Sequence, residues 1–193
     1  MRNLVLASTS PYRMQLMRQL GLPFQVAAPL FDEQLDQSVS PELLVRHHAL
    51  HKAKSLAGRY PDALIIGADQ VFVDDRHRIV GKPGDVEQAV AQLLSMQGKS
   101  HVFYTGVAVF DSASGSHFAT CETFTVTLRP LTEAQVRNYI ARENPVDCAG
   151  SFKIEGLGIA LMEKLDGRDH TSLIGLPLIR LVEILKQFDL DVL

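Results

Sequence analysis

Leu64-Ile65-Ile66-Gly67-Ala68-Asp69-Gln70-Val71-Phe72-Val73 is the stretch whose reading decides the fold. It has the apolar, mostly β-branched pattern of a buried strand, interrupted by a carboxylate and an amide. Burying an unpaired carboxylate costs so much that such a group neutralises or finds a partner. In a regular strand Asp69 and Gln70 point to opposite faces. Gly67-Ala68, just ahead of them, allows a bend or a strand end that would bring both to one cleft. Two partners for Asp69 stay open: a divalent cation shared with Asp32-Glu33, or a neighbouring lysine.

Outward from this strand, strand-like and helix-like segments alternate. Leu4–Ala7 reads as a short buried strand. Ser10-Pro11 then opens a helix ending at Gly21, with a hydroxyl to cap free amides and a proline that has no amide to orphan. Phe24–Ala28 is a second strand, and Ser40-Pro41 opens a helix that runs to about Arg59. Asp85 caps a helix from Val86 to Met96, stopped by Gly98. His101–Phe110 and Phe118–Leu128 are extended and joined by a turn-rich loop. Thr132 and Gln135 fit a capping box before the helix Glu133–Arg142. Asp147–Gly158 reads as extended, with Ser151, Lys153 and Glu155 alternating on one face, and Pro177–Phe188 closes the chain as an apolar helix. The pattern predicts an α/β domain with a mixed sheet.

The whole chain bounds the function. Its 193 residues suffice for one substantial domain, and a net charge of -3 gives no support to a nucleic-acid binder, which shows a basic excess. No apolar run approaches the roughly 20 residues needed to span a bilayer. The apolar N-terminal stretch is too short for a signal peptide. Cys121 and Cys148 form no CxxC pattern, so a reducing, cytoplasmic setting is the simplest reading. His47, His48 and His51 give an i, i+4 pair without the glutamate of HExxH, which points to a packed or solvated helix face rather than zinc.

Two places suit an anion. A strand turning directly into a helix at Ala7-Ser8-Thr9-Ser10-Pro11-Tyr12-Arg13 aims free amides and hydroxyls at one point. Arg13 sits there in the first helical turn, unfavourable by about 0.3–1 kcal/mol unless an anion intervenes. In Gly81-Lys82-Pro83 the proline holds Lys82 extended and the glycine permits close approach to a ligand. Each also has an ordinary reading, as a capped helix or a loop lysine. Mg²⁺ is typically held by one or two carboxylates plus substrate phosphates, which Asp69 and Glu33 can supply.

Taken in order, these segments resemble the Maf family of nucleotide pyrophosphatases: Leu6-Ala7-Ser8-Thr9-Ser10-Pro11-Tyr12-Arg13, Asp32-Glu33, His51-Lys52-Ala53, Gly67-Ala68-Asp69-Gln70-Val71, Gly81-Lys82-Pro83, Ala149-Gly150-Ser151-Phe152 and Gly175-Leu176-Pro177. The resemblance covers essentially residues 1–193 as a single domain. It implies a two-lobed mixed sheet flanked by helices with a nucleotide cleft between the lobes, similar to inosine triphosphate pyrophosphatases. It implies hydrolysis of a nucleoside triphosphate to the monophosphate and pyrophosphate with Mg²⁺ or Mn²⁺, and no nucleic-acid or membrane partner; a homodimer is left open. Asp69 matches the family's catalytic carboxylate, as proton acceptor or metal ligand, and Glu33 an acidic position compatible with metal. Ser8, Ser10, Arg13, Lys52 and Lys82 match its phosphate-binding positions.

Two departures narrow the substrate. Tyr12 replaces the first of two arginines in the family's commonest pattern, and Gln70 stands where many members have threonine. With Lys153-x-Glu155, they resemble the subfamily acting on 7-methyl-GTP. Methylation at N7 makes guanine cationic, which favours an aromatic face (Tyr12) and a carboxylate (Glu155), with Gln70 on another base edge. The alternatives are a dTTP, UTP or other non-standard nucleotide pyrophosphatase, or a non-catalytic nucleotide-binding regulator of cell division.

Overall fold

The computed structural model describes residues 2–34 and 38–193. Its elements run β1 (Asn3–Ala7), α1 (Pro11–Arg18), β2 (Gln25–Ala27), α2 (Pro41–Lys54), β3 (Ala63–Val73), β4 (Ile79–Val80) and α3 (Val86–Met96). Then follow β5 (Ser100–Asp111), β6 (His117–Leu128), α4 (Glu133–Glu143), β7 (Met162–Gly167), α5 (His170–Ile174) and α6 (Leu178–Gln187). Among the described residues seven strands form one mixed sheet in the order β2-β1-β3-β5-β6-β7, with β4 beside β3. β1 is parallel to β2 and to β3, whereas β4 on β3 and β7 on β6 are antiparallel. The expected mixed α/β architecture is therefore present. The helix expected to end at Gly21 stops at Arg18, and the one expected to reach Arg59 stops at Lys54.

The chain divides into two compact units. The first holds residues 1–70, 104–122 and 169–193, and the second holds 71–103 and 123–168. β3, β5 and β6 each run from one unit into the other.

In the first unit the period of two assigns the faces of β3. Leu64, Ile66 and Ala68 join Leu4, Leu6, Val107 and Val109 in a core closed by α1 and α6, through Leu16, Met17, Leu181 and Leu185. Ile65, on the other face, packs with Val5, Ala7, Ala53 and Leu56 on the side of α2. β3 is unbroken from Ala63 to Val73, so the expected bend at Gly67-Ala68 does not occur. Gly67 instead lets α2 approach: a β-carbon there would lie 2.0 Å from the Ala49 carbonyl oxygen. Gly106 on β5 does the same, with a β-carbon 2.2 Å from the Val45 oxygen. Two strands thus present bare backbone to one helix.

In the second unit α3 packs against α4, and Val90, Leu93, Val136 and Ile140 are buried on the two helices. Phe72, Phe103 and Phe152 form its aromatic core, with ring centroids 4.6 to 5.7 Å apart. The stretch 147–158, expected to be extended, is made of turns. Gly150 and Ser151 both have left-handed backbone, with φ of 75° and 60°, which breaks a strand before it can form. Single 3₁₀ turns occupy Ala149–Ser151 and Leu157–Leu161. Ser151, Lys153 and Glu155 consequently share no strand face.

Gly67→Ala tests the close approach of α2. Overpacking of this kind costs typically about 1–3 kcal/mol, so the denaturant midpoint should fall accordingly. An unchanged midpoint would mean that α2 lies farther from β3.

Candidate active site

α2 delivers two side chains to one point. Ser40 caps it, accepting from Leu43 N at 3.4 Å, and Pro41 opens it. His48 and Lys52 are one turn apart on its inner face, and both are buried. Asp69, on the α2 side of β3, is 5% exposed. Its Oδ1 accepts from Lys52 Nζ at 2.7 Å, and its Oδ2 lies 2.9 Å from His48 Nδ1. The lysine answer to the buried charge is the one present. Lys52 Nζ also bonds Glu33 Oε1 at 2.6 Å and reaches the Ala68 carbonyl at 3.4 Å. Removing one partner of such a buried pair strands a charge, at a cost of about 3–5 kcal/mol.

Sequence reasoning set His47, His48 and His51 aside together as a helix face and so missed the contact of His48 with Asp69. The available signal was the i, i+4 spacing of His48 and Lys52, which places both on one helix face. His47 and His51 stack with centroids 4.0 Å apart, and Phe31 packs on His48 and His51 at 5.5 and 5.6 Å, so this is a packed face. Burial, then His47, Lys54 and His48, press the His51 pKa below its usual value. A cavity of about 680 Å³ is lined in part by Phe31, Leu43, Leu44, His47 and His48.

α1 brings Arg13 to the same neighbourhood. Its Nε donates to the Gly175 carbonyl at 2.8 Å, at the end of α5. Burial lowers the guanidinium pKa, while the Asp69 and Glu33 carboxylates pull it back up. Ser8 Oγ accepts from Ser10 N, and Ser10 Oγ accepts from Arg13 N. Both hydroxyls act here as acceptors, which leaves their protons for donation elsewhere. Tyr12, at the second helical position, is 39% exposed.

Gln70 faces the other layer. Its Nε2 meets the carbonyl oxygens of Ser172 at 2.8 Å and Leu173 at 3.2 Å, and Thr105 Oγ1 at 3.0 Å. The carbonyls can only accept, and the Thr105 hydroxyl spends its proton on Ser172 O at 2.9 Å. The amide nitrogen is therefore fixed on this side, and only Oε1, an acceptor, is left for a ligand. The structure does not bring Gln70 and Asp69 to one face.

In the second unit, Lys82 is exposed on its loop. Gln92 of α3 braces that loop, donating to the Gly81 carbonyl at 3.2 Å and accepting from Ser151 Oγ at 2.5 Å. The buried Ser151 is thus part of this brace, and nothing in the sequence around Gln92 signals it. Gly84 N adds a bond to Val146 O at 3.0 Å. Lys153 Nζ donates to the carbonyls of Glu143 and Asn144 at 3.1 and 3.3 Å, which caps the C-terminus of α4. Glu155 is exposed on the turn that follows, where Gly156 N and Gly158 N both bond the Lys153 carbonyl.

Glu33, His48 and Asp69 each offer a donor atom within 4.8 Å of one another, the one such group of three or more found among the described residues. Two carboxylates and an imidazole suit a divalent cation. The donor set fits, on condition that Lys52 yields the oxygens it holds.

A family model described as Maf-like protein matches residues 3–188. A 7-methyl-GTP pyrophosphatase of Syntrophotalea carbinolica is 64% identical over 193 residues, covering 100% of this chain and 98% of that protein. A protein of the same name from Pseudomonas aeruginosa is 49% identical over 192 residues, covering 100% of both. Among solved structures, the Ham1 protein of Staphylococcus aureus aligns with a TM-score of 0.46 at 12% identity, over 81% of this chain and 90% of that one. The segments at Ser8–Arg13, Asp69 and Gly81–Pro83 all fall inside the matched range, and the chain belongs to the Maf-like protein family.

Proposed function

We propose that this protein is a nucleoside triphosphate pyrophosphatase that hydrolyses 7-methyl-GTP to 7-methyl-GMP and pyrophosphate, with residues 1–193 acting as one catalytic domain. The observation that carries this reading is the buried Asp69, held through one oxygen by Lys52 and through the other by His48. The identity to relatives bearing that name supports the substrate.

Water attacks the α-phosphorus, the bond to the α,β-bridging oxygen breaks, and pyrophosphate leaves with that oxygen. Asp69 accepts the water's proton. His48 fixes the carboxylate through the oxygen that Lys52 does not hold. Lys52, Arg13 and Lys82 neutralise phosphate oxygens, and Ser8 and Ser10 donate their hydroxyl protons. Phosphoryl transfer is mostly positioning and electrostatic stabilisation, so fixed cations are the right kind of catalyst. Mg²⁺ or Mn²⁺ held by Glu33 and Asp69, with His48 as a further donor, supplies additional charge neutralisation when bound. Tyr12 stacks on the cationic base, Glu155 accepts from its N1–H and exocyclic amine, and Gln70 Oε1 accepts a further donor. The reducing cytoplasm suits two cysteines that form no disulfide, and among the described residues no helix is long and apolar enough to cross a membrane.

Asp69→Asn keeps the side-chain volume but removes the proton acceptor. Its rate of pyrophosphate release from 7-methyl-GTP should fall by about 10²–10⁴, the usual contribution of a general base. Wild-type turnover in a variant with an intact thermal transition would end this assignment. Glu155→Ala should lower the preference for 7-methyl-GTP over GTP by about tenfold, or 1.4 kcal/mol; an unchanged ratio removes Glu155 from base recognition. Gln92→Leu cuts both bonds of the loop brace. It should raise KM by about tenfold with kcat little changed, as expected for lost ground-state binding, while Lys82→Ala loses the cation itself. A normal KM in Gln92→Leu would show that the loop holds its position without the brace.

A further inference from the structure

We propose that Lys52 is an internal cation that occupies the metal's place in the nucleotide-free protein, so that a divalent ion is admitted only together with the triphosphate that draws the lysine away. This rests on the metal reading above and concerns the order in which the charges assemble.

The Lys52 ammonium has three protons, and three acceptors surround it: Glu33 Oε1 at 2.6 Å, Asp69 Oδ1 at 2.7 Å and Ala68 O at 3.4 Å. Its donors are therefore used up, and the residue is 3% exposed. The two carboxylate oxygens it binds belong to two of the three groups able to hold a metal. The other oxygen of Asp69 is engaged by His48 Nδ1 at 2.9 Å. A metal ion arriving alone finds both oxygens of Asp69 committed and an ammonium beside them. Glu33 is half exposed, but Asp69 is buried, and like charges meeting at its oxygen repel strongly because little water screens them there.

Charge balance points the same way. Lys52 already offsets one of the two charges of Asp69 and Glu33, so an added divalent ion leaves the cluster with an uncompensated positive charge. A triphosphate reverses this. Its oxygens accept the ammonium, which is a point charge on a flexible four-carbon stem and can turn from carboxylate to phosphate. The freed carboxylate oxygens then take the metal. Lys52 would thus have two stations, Glu33 and Asp69 without ligand and the triphosphate with it.

The test is Mn²⁺ binding, followed by electron paramagnetic resonance without nucleotide, for wild type and Lys52→Met. The variant should bind Mn²⁺ alone at least about tenfold more tightly than wild type, although it turns over poorly. Equal or weaker binding in the variant overturns the proposal. Thermal melting checks that Lys52→Met folds, and a measurement on wild type does not depend on it. The Lys52 ε-methylene resonance should stay in place on adding Mg²⁺ alone, and shift when a non-hydrolysable 7-methyl-GTP analogue is added with Mg²⁺. A full shift on Mg²⁺ alone overturns the proposal. If no Mn²⁺ binds even with the analogue present, the metal reading itself falls. If both proteins bind Mn²⁺ alone equally well, that reading stands and only the exclusion by Lys52 is lost.

Discussion

A carboxylate on the inner face of a central strand is tolerable only if donors reach both its oxygens, and the length of a lysine limits how far away they can be anchored. Asp69 therefore dictates the distance between β3 and α2. That distance is set by what is missing from the strands. Gly67 and Gly106 have no β-carbon, and the helix backbone at Ala49 and Val45 lies where one would be. Ala49 and Ala53, fully buried, keep the same helix face thin. With the backbones this close, His48 and Lys52 meet Asp69 at hydrogen-bond distance. A bulkier contact would leave a buried charge without its partners, which a marginally stable fold withstands poorly.

The unbroken course of β3 has a second consequence. Asp69 and Gln70 are neighbours in sequence yet serve different layers, the first against α2 and the second against the carbonyls of Ser172 and Leu173. Each is satisfied in its own layer, so the strand needs no distortion to carry two polar residues through a buried sheet. The Gln70 amide is polarised by acceptors that cannot reverse roles. Its orientation is therefore a property of the fold, set before any ligand arrives.

The sequence made the helix starts and the strand faces legible because those depend on local chemistry. Ser10-Pro11, Ser40-Pro41, Asp85 and the Thr132–Gln135 box all cap the helices they announce. Less local features escaped. The role of Gly67 depends on a helix that lies elsewhere in the chain, so the residue reads equally well as a bend. Gln92 bonds to Gly81 and Ser151, partners 11 and 59 residues away, and nothing near it in sequence marks it. The stretch 147–158 alternates like a strand, but Gly150 and Ser151 take left-handed backbone that no alternation pattern reveals. Of the candidate site, Lys52, Glu33, Asp69 and Arg13 were named through the family resemblance, and the structure pairs the first three. A lysine on Asp69 was one of two open readings; which lysine it is, and that it also binds Glu33, was not legible, because spacing along a chain carries no information about which charges meet.

The turns at 151–158 divide labour among three residues that looked alike in sequence. Ser151 is buried in the brace to Gln92, and Lys153 caps α4. Gly156 and Gly158 keep the turn tight: β-carbons there would lie 2.8 Å from Glu143 Oε2 and 2.2 Å from the Lys153 carbonyl. Glu155 alone is exposed, on a turn whose base is pinned by its neighbours. An exposed carboxylate is a weak partner for a cation while water surrounds it, worth about 0–1 kcal/mol. It strengthens only where the ligand itself displaces that water. In the proposed role, discrimination between a cationic and a neutral base is thus conferred by binding, and a free nucleotide base in solvent gains little from Glu155. Such an arrangement favours a bound methylated base over an ordinary one without holding a desolvated charge in the empty protein.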